Sequence, residues 1–237
     1  DGRYEYIYPY VNLSKSFENM EYTFTGYNKK FNTNQDIANI TNNLLYTSDD
    51  KYSLFGLRRN WKALLKNVNS RNDKTADKEG DNYELYSGII YDLNLPLVKN
   101  GGKFGKVIDP KISLRYSPNK NKNMSNDERR MDLNNIFSLD RISSNETVEG
   151  GESLTFGIDY KLTENETLNE VFKMGIAQVF RNQENKDLPK TNAIGEKRSD
   201  IFGNLAFKHN EIIDLNYDFS FDNNVNDSKY NNISMKV

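Results

Sequence analysis

His209 is the single histidine of the chain and follows Lys208 where a tight turn is expected. A histidine base needs an ordered partner, and neither a Ser-His-Asp order nor a His-x-x-x-His spacing is present. Gly101-Gly102-Lys103-Phe104-Gly105 has the look of a phosphate loop, but it lacks the Lys-Ser/Thr step and a following helix, so a flexible turn is expected there. Asp214, Asp218 and Asp222 repeat every four residues without the loop spacing of an EF-hand. With no cysteine, thiolate metal sites, thiol nucleophiles and disulfides drop out as well. The expectation is a chain with no catalytic residues, no bound metal and no cofactor. Asn-x-Ser/Thr triplets at Asn12, Asn39, Asn123, Asn145, Asn165, Asn226 and Asn232 are read as chance in an asparagine-rich sequence.

The pair that stands out is Asp140-Arg141. Opposite charges beside Ile136, Phe137 and Leu139 suggest a loop that folds inward and is pinned by charge-assisted hydrogen bonds. Elsewhere charge is balanced, 32 basic residues against 34 acidic, so no net field calls for nucleic acid.

The elements that would position such a loop are strands. In 211–222, Ile213, Leu215, Tyr217, Phe219 and Phe221 alternate with Asp214, Asn216, Asp218, Ser220 and Asp222. Residues 151–163 repeat the pattern through Leu154, Phe156, Ile158, Tyr160 and Leu162, and residues 82–95 through Tyr83, Leu85, Ile89, Tyr91, Leu93 and Leu95. Shorter apolar faces are carried by Ile112, Leu114 and Tyr116, by Phe172, Met174, Ile176 and Phe180, and by Ile201, Leu205 and Phe207. Segments 4–13, 20–31, 37–46 and 52–65 alternate less cleanly. A helix over 54–68 around Trp61, Leu64 and Leu65 has no clear cap and is set aside. The expected fold is all-β, an antiparallel meander of about eleven long strands.

Short connections near 18–19, 48–50, 164–167 and 209–210, and a moderate one at 99–105, interleave with long polar ones at 69–81, 118–150 and 183–197. In a meander, alternate connections share an end, so one rim carries tight turns and the other large loops. Together with runs of about 10 to 13 residues, this is the layout of a large transmembrane outer-membrane β-barrel. No apolar run approaches the length of a membrane-spanning helix, which says nothing against a barrel whose strands are apolar on one face. The start at Asp1-Gly2-Arg3 reads as an internal piece of a longer protein.

Asn134-Asn135-Ile136-Phe137-Ser138-Leu139-Asp140-Arg141, then Val148-Glu149-Gly150-Gly151 and Leu154-Thr155-Phe156-Gly157, resembles the LptD family. Val107-Ile108-Asp109-Pro110 and Tyr116-Ser117-Pro118 resemble its Leu-Glu-Pro and Tyr-x-Pro elements. Met174-Gly175-Ile176-Ala177-Gln178-Val179-Phe180 and Ser199-Asp200-Ile201-Phe202-Gly203 are similar to its Gly-Gln-x-Tyr and Ser-Asp-x-x-Gly strands. The likeness runs in order over about residues 90–222, and more weakly at Tyr8-Pro9-Tyr10. The sequence departs from it at Ser143-Ser144-Asn145-Glu146 and where Ile176-Ala177 separates Gly175 from Gln178.

The resemblance implies that residues 1–237 are part of a barrel of about two dozen strands, with the family's periplasmic jelly-roll and remaining strands outside the sequence. It implies a lipopolysaccharide translocon in the outer membrane of a Gram-negative bacterium, in contact with outer-membrane lipid, a plug lipoprotein of the LptE kind and a periplasmic lipopolysaccharide bridge. Asn135, Phe137, Asp140, Arg141, Glu149, Gly150, Gln178, Ser199, Asp200 and Gly203 are then the structural motif residues. Arg129, Arg130, Lys120 and Lys122 are candidate contacts for lipopolysaccharide phosphates, whose geometry an arginine fork matches. Competing readings are a soluble β-sandwich binding module and another outer-membrane barrel such as a porin-like channel. A lipid-modifying barrel enzyme would need a nucleophile and base at one rim, and the sequence offers none.

Overall fold

The computed structural model describes residues 4–74, 79–209 and 213–236. The expected turn at 209–210, the side chain of His209, residues 211–212 of the expected last strand and the opening Asp1-Gly2-Arg3 lie outside the described residues. Thirteen strands form one sheet: β1 (Glu5–Phe17), β2 (Met20–Phe31), β3 (Asp36–Thr47), β4 (Lys51–Tyr52), β5 (Arg58–Asp73), β6 (Gly80–Asn94), β7 (Leu97–Lys99), β8 (Phe104–Ser117), β9 (Gly151–Glu164), β10 (Glu170–Arg181), β11 (Ile201–His209), β12 (Ile213–Phe221) and β13 (Ser228–Lys236). Eleven long strands pair with their sequence neighbours in an antiparallel meander, with short β4 and β7 pairing β5 and β8. β1 and β13 are the two edges of the described sheet.

Two expectations need correction. Residues 69–81 are not a long loop: Asn69, Ser70 and Arg71 pair Tyr83, Asn82 and Asp81, leaving 74–79 between the strands. Polar side chains do not prevent a backbone ladder from continuing, and an asparagine-rich stretch reads as loop only when its pairing partner is unknown. The expected strand 52–65 breaks after Tyr52 and resumes at Arg58, with Gly56 at φ +76° turning the chain between them. β13 lies where alternation reveals little, because Asn231 and Asn232 put an amide on each face.

The two faces of the sheet differ in kind. One is bare and apolar: Leu44, Leu65, Ile89, Leu114, Phe156, Met174 and Leu215, from seven different strands, are all exposed. Aromatic pairs sit on it towards the tight-turn end, Tyr46 on Trp61 at 4.8 Å and Tyr160 near Phe172 at 6.1 Å between ring centroids. The other face is covered by the long connections 118–150 and 182–200, which enter from the same end of the sheet. Two apolar clusters lie under them. Met131, Ile136 and Ile142 of the first loop meet Leu188 and Ile194 of the second over Ala177, Val179 and Phe202. Leu139 and Val148 meet Leu64, Val68, Tyr86 and Ile90. The core of the protein is thus between loop and sheet, not between two sheets.

Candidate functional site: a loop plug locked by buried charge

Strand register prepares the inner face for the first loop. Arg115 of β8 and Arg181 of β10 both pair Ser153 of β9, so two arginines flank one small hydroxyl in a single row. The next row across is Ser113, Thr155 and Val179, and the one after it Lys111, Gly157 and Ala177. Small residues at the centre of each row leave a trough, and the loop fills it. A Cβ on Gly157 would stand 2.7 Å from the Phe137 ring, one on Gly175 2.8 Å from Leu133, and one on Gly88 3.3 Å from Leu139. Phe137, Leu133 and Leu139 therefore each rest on a strand glycine, a position where the loop approaches the sheet backbone closely.

Above the arginine row sits Glu149, wholly buried. Arg141 grips its carboxylate with two bonds, Nε to Oε2 at 2.8 Å and Nη2 to Oε1, while Arg181 Nη1 also donates to Oε1. Arg115 Nη1 stands 3.7 Å from the same oxygen. The rest of each fork is taken up locally. Arg115 donates to the carbonyls of Leu139, at 2.7 Å, and Glu149; Arg181 donates to that of Gly150; Arg141 donates to Ser153 at 2.8 Å and Thr155 at 3.3 Å. Burial alone would push the Glu149 carboxyl up, but Arg115, Arg141 and Arg181 outweigh it and hold the group well below the usual carboxylate range.

Asp140 and Arg141, adjacent in sequence, have different partners. Asp140 accepts from buried Lys66 of β5 at 2.6 Å, and Lys66 also donates to the carbonyls of Ser144 and Thr147 at 2.6 and 3.2 Å. Further out, Tyr27 donates to Glu146 at 2.7 Å and Thr41 to the Asn145 carbonyl at 2.6 Å. One loop is therefore tied to strands from β2 to β10. Where it re-enters the sheet, Gly150 passes so close to the Asn119 carbonyl that a Cβ would lie 2.3 Å from it, and Gly151 takes φ +91°.

The second loop locks to the first. Met131 N–H donates to the Asn192 side chain at 3.0 Å, Met124 N–H to the Asp187 carbonyl at 2.7 Å, and Asn185 to Asn121 at 2.7 Å. It is closed onto β10 by Ser199, whose N–H donates to the Val179 carbonyl and whose hydroxyl accepts from Val179 N–H, both at 3.0 Å; Gln178 donates to the Ser199 carbonyl at 2.9 Å. Asp200 is buried beside them, and desolvation, helped by Asp222 and Glu196, pushes its carboxyl up to about 6 despite Lys229 and an Asn192 hydrogen bond. Asn135 braces the first loop internally, accepting from Asp132 N–H at 3.0 Å and donating to the Arg130 carbonyl at 3.1 Å. Gly203 lies apart, on the bare face, its site filled by the Phe219 ring at 2.0 Å from where a Cβ would be.

The four basic candidates of the first loop are not gathered into one site. Arg129 is held by Asp127 at 3.0 Å and by the carbonyls of Ile142 and Ser143, and Arg130 stacks 4.1 Å over the Tyr230 ring. Lys122 reaches Glu84 at 3.1 Å. Lys120 is exposed and has no ion pair among the described residues. Sequence reasoning missed Lys66, Arg115 and Arg181, the three cations that receive the loop. Each occupies a polar-face position of a strand, where an open lumen would accommodate it equally well, and the serines that frame Arg115 were the available signal.

The chain matches the family model described as LptD, LPS transport system D, over residues 64–237. It belongs to the LptD family. No curated protein matches the chain. LptD membership makes it a component of lipopolysaccharide transport. The matched span starts within β5 and contains both loops, the glycine seats and every member of the Glu149 cluster, so the locked plug belongs to the LptD part of the chain.

Proposed function

We propose that the chain forms part of the wall and surface loops of an outer-membrane barrel, and that this barrel inserts lipopolysaccharide into the outer leaflet without bond chemistry. The observation that carries the reading is the bare apolar face, which runs from Leu44 of β3 to Leu215 of β12 while the buried charges Lys66, Arg115, Arg141, Glu149 and Arg181 lie on the loop-covered side. Soluble monomers rarely expose an apolar surface of this extent, whereas a barrel wall requires one. Placing the long loops at the outer surface makes 118–150 and 182–200 an inward-folded plug in the path of the substrate. The plug lipoprotein of the LptE kind and the periplasmic bridge are the partners this role implies, and residues 1–237 are then part of the barrel domain. A sandwich module is disfavoured because the described residues form one sheet whose apolar face no second sheet covers.

The test is membrane assembly. The protein should fractionate with outer membranes as a heat-modifiable species, and Leu215→Lys should abolish that species. Release into the soluble fraction without detergent, or normal assembly of the lysine variant, would count against the reading.

A further inference from the structure

Where like charges face each other across neighbouring strands of this sheet, a third charge usually offsets them. Asp36 opposes Asp73, Asp109 opposes Asp159 and Lys161 opposes Lys173. In each case one member has an ion partner: Asp36 has Lys30 at 3.6 Å, Asp159 has Lys111, and Lys161 has Glu170 at 2.7 Å.

Two pairs break this pattern, and they belong to the two short strands. Lys51 of β4 faces Arg59 of β5, and Lys99 of β7 faces Lys106 of β8. All four residues are exposed, and none has an ion pair among the described residues. Carboxylates at the same rim are engaged elsewhere: Asp50 with Arg58 at 3.8 Å and Asn60 at 2.7 Å, and Glu164 with Lys103 at 3.2 Å and Thr167 at 2.9 Å. Asp49, exposed two residues before Lys51, pairs with neither cation. Directly opposed side chains start about 4.5–5.5 Å apart at Cβ, so each pair concentrates positive charge at a cost to its hairpin.

Both pairs lie on the bare face at the tight-turn end. Arg59 is two residues from exposed Trp61, which packs on Tyr46. Lys106 stands opposite Leu162 and is two residues from exposed Ile108, whose cross-strand partner Tyr160 lies near Phe172. Each pair of cations therefore borders aromatic rings on a lipid-facing surface, an arrangement that fits an anionic headgroup with its acyl chains against the rings.

We propose that each pair clamps the phosphate of an anionic glycerophospholipid in the leaflet at the tight-turn end, away from the large loops. A phosphodiester accepts from both cations at once and offsets their repulsion, whereas a zwitterionic lipid brings an ammonium of its own into the same space. The Arg59 fork fits two phosphate oxygens, which makes the pair on β4 and β5 the tighter site. The proposal rests on the membrane-wall reading above and adds to it fixed lipids at the rim opposite the loop plug.

Native mass spectrometry of the detergent-purified protein, after exposure to vesicles of phosphatidylglycerol or of phosphatidylcholine, tests it. The wild type should retain one phosphatidylglycerol at each pair and release phosphatidylcholine. Lys51→Gln and Lys99→Gln should each weaken retention at their own site roughly fivefold, the loss expected for one basic residue at an anionic lipid surface. Lys51→Glu and Lys99→Glu separate binding from folding, because each creates a cross-strand pair of opposite sign: the heat-modifiable species should persist while the lipid is lost. Equal retention of the two lipids by the wild type, or undiminished phosphatidylglycerol on the glutamate variants, overturns the sites. Displacement of the lipid by inorganic phosphate also overturns them, since the pairs would then hold any small anion. A wild-type protein that never enters membranes overturns the wall reading and the sites together, whereas one that inserts without preference between the lipids overturns the sites alone.

Discussion

The loop-covered face and the bare face are built from the same strands and the same alternation, yet they are stabilised by opposite means. On the covered face Glu149, Arg115, Arg141, Arg181 and Lys66 are buried and engaged with one another or with carbonyls. On the other, Leu114, Phe156 and Leu215 are left exposed. The difference teaches that period-two alternation separates two faces without saying which one the protein covers. What marks the covered face is the small residues set into it, Gly88, Gly157, Gly175 and Ser153, each beneath a loop side chain.

The sharpest way to break this contrast is at its centre. Glu149→Gln leaves three arginines without their shared carboxylate, and loss of one partner from a buried ion cluster costs about 3–5 kcal/mol. The temperature at which the heat-modifiable species is lost should fall, and trypsin should begin to cut within 118–150. Asp214→Asn, at an exposed ion pair with Lys208 3.4 Å away, should change stability by no more than about 1 kcal/mol. Next in size is the bare face: Phe156→Lys should cost about 2–4 kcal/mol of folding into bilayers, while lysine at Asn216, on the covered-face register of β12, should be tolerated. Gly157→Ala comes third, because its methyl group would displace Phe137 and overpacking costs about 1–3 kcal/mol. Urea midpoints in detergent would show it, and Phe137→Ala in the same chain should restore part of the loss.

The smallest effect is pH-dependent and lies in the second loop. Because Asp200 has a raised carboxyl pKa in the folded state, folding is disfavoured once the group must ionise. Stability is unaffected below the ordinary value of 3.8, falls as pH rises towards about 6, and stays lowered above it. Asp200→Asn should flatten that dependence, as read by proteolysis of 182–200 across pH 4 to 7.

Much of the sheet was legible. The apolar rows of β9 and β12 could be assigned residue by residue because their neighbours on the opposite face are polar or glycine, whereas in β6 and β10 the covered face also carries Tyr86, Ile90, Ala177 and Val179. The break at 53–57 and the continuation of β5 to Asp73 were not, since Ser53 and Asn69 look alike in a list of polar residues and only pairing with a distant strand distinguishes them. At the site, Arg141 and Glu149 stood out through their motif. Their receivers did not, because the row Arg115, Ser153 and Arg181 exists only in the register of three strands separated by two loops. Sequence proximity also misleads locally: Asp140 and Arg141 are neighbours whose side chains engage Lys66 and Glu149 separately.

The central claim, that one face meets lipid while the other holds a locked plug, can be measured directly because this chain has no cysteine of its own. Single cysteines at Ile112, Leu154 and Phe156 on the bare face, and at Ser138 and Ser143 in the first loop, would carry a fluorophore in reconstituted membranes. The account predicts strong quenching of the first three by brominated acyl chains and of neither loop position. Quenching of the loop positions by lipid, or reaction of the bare-face cysteines with a membrane-impermeant maleimide, would contradict it.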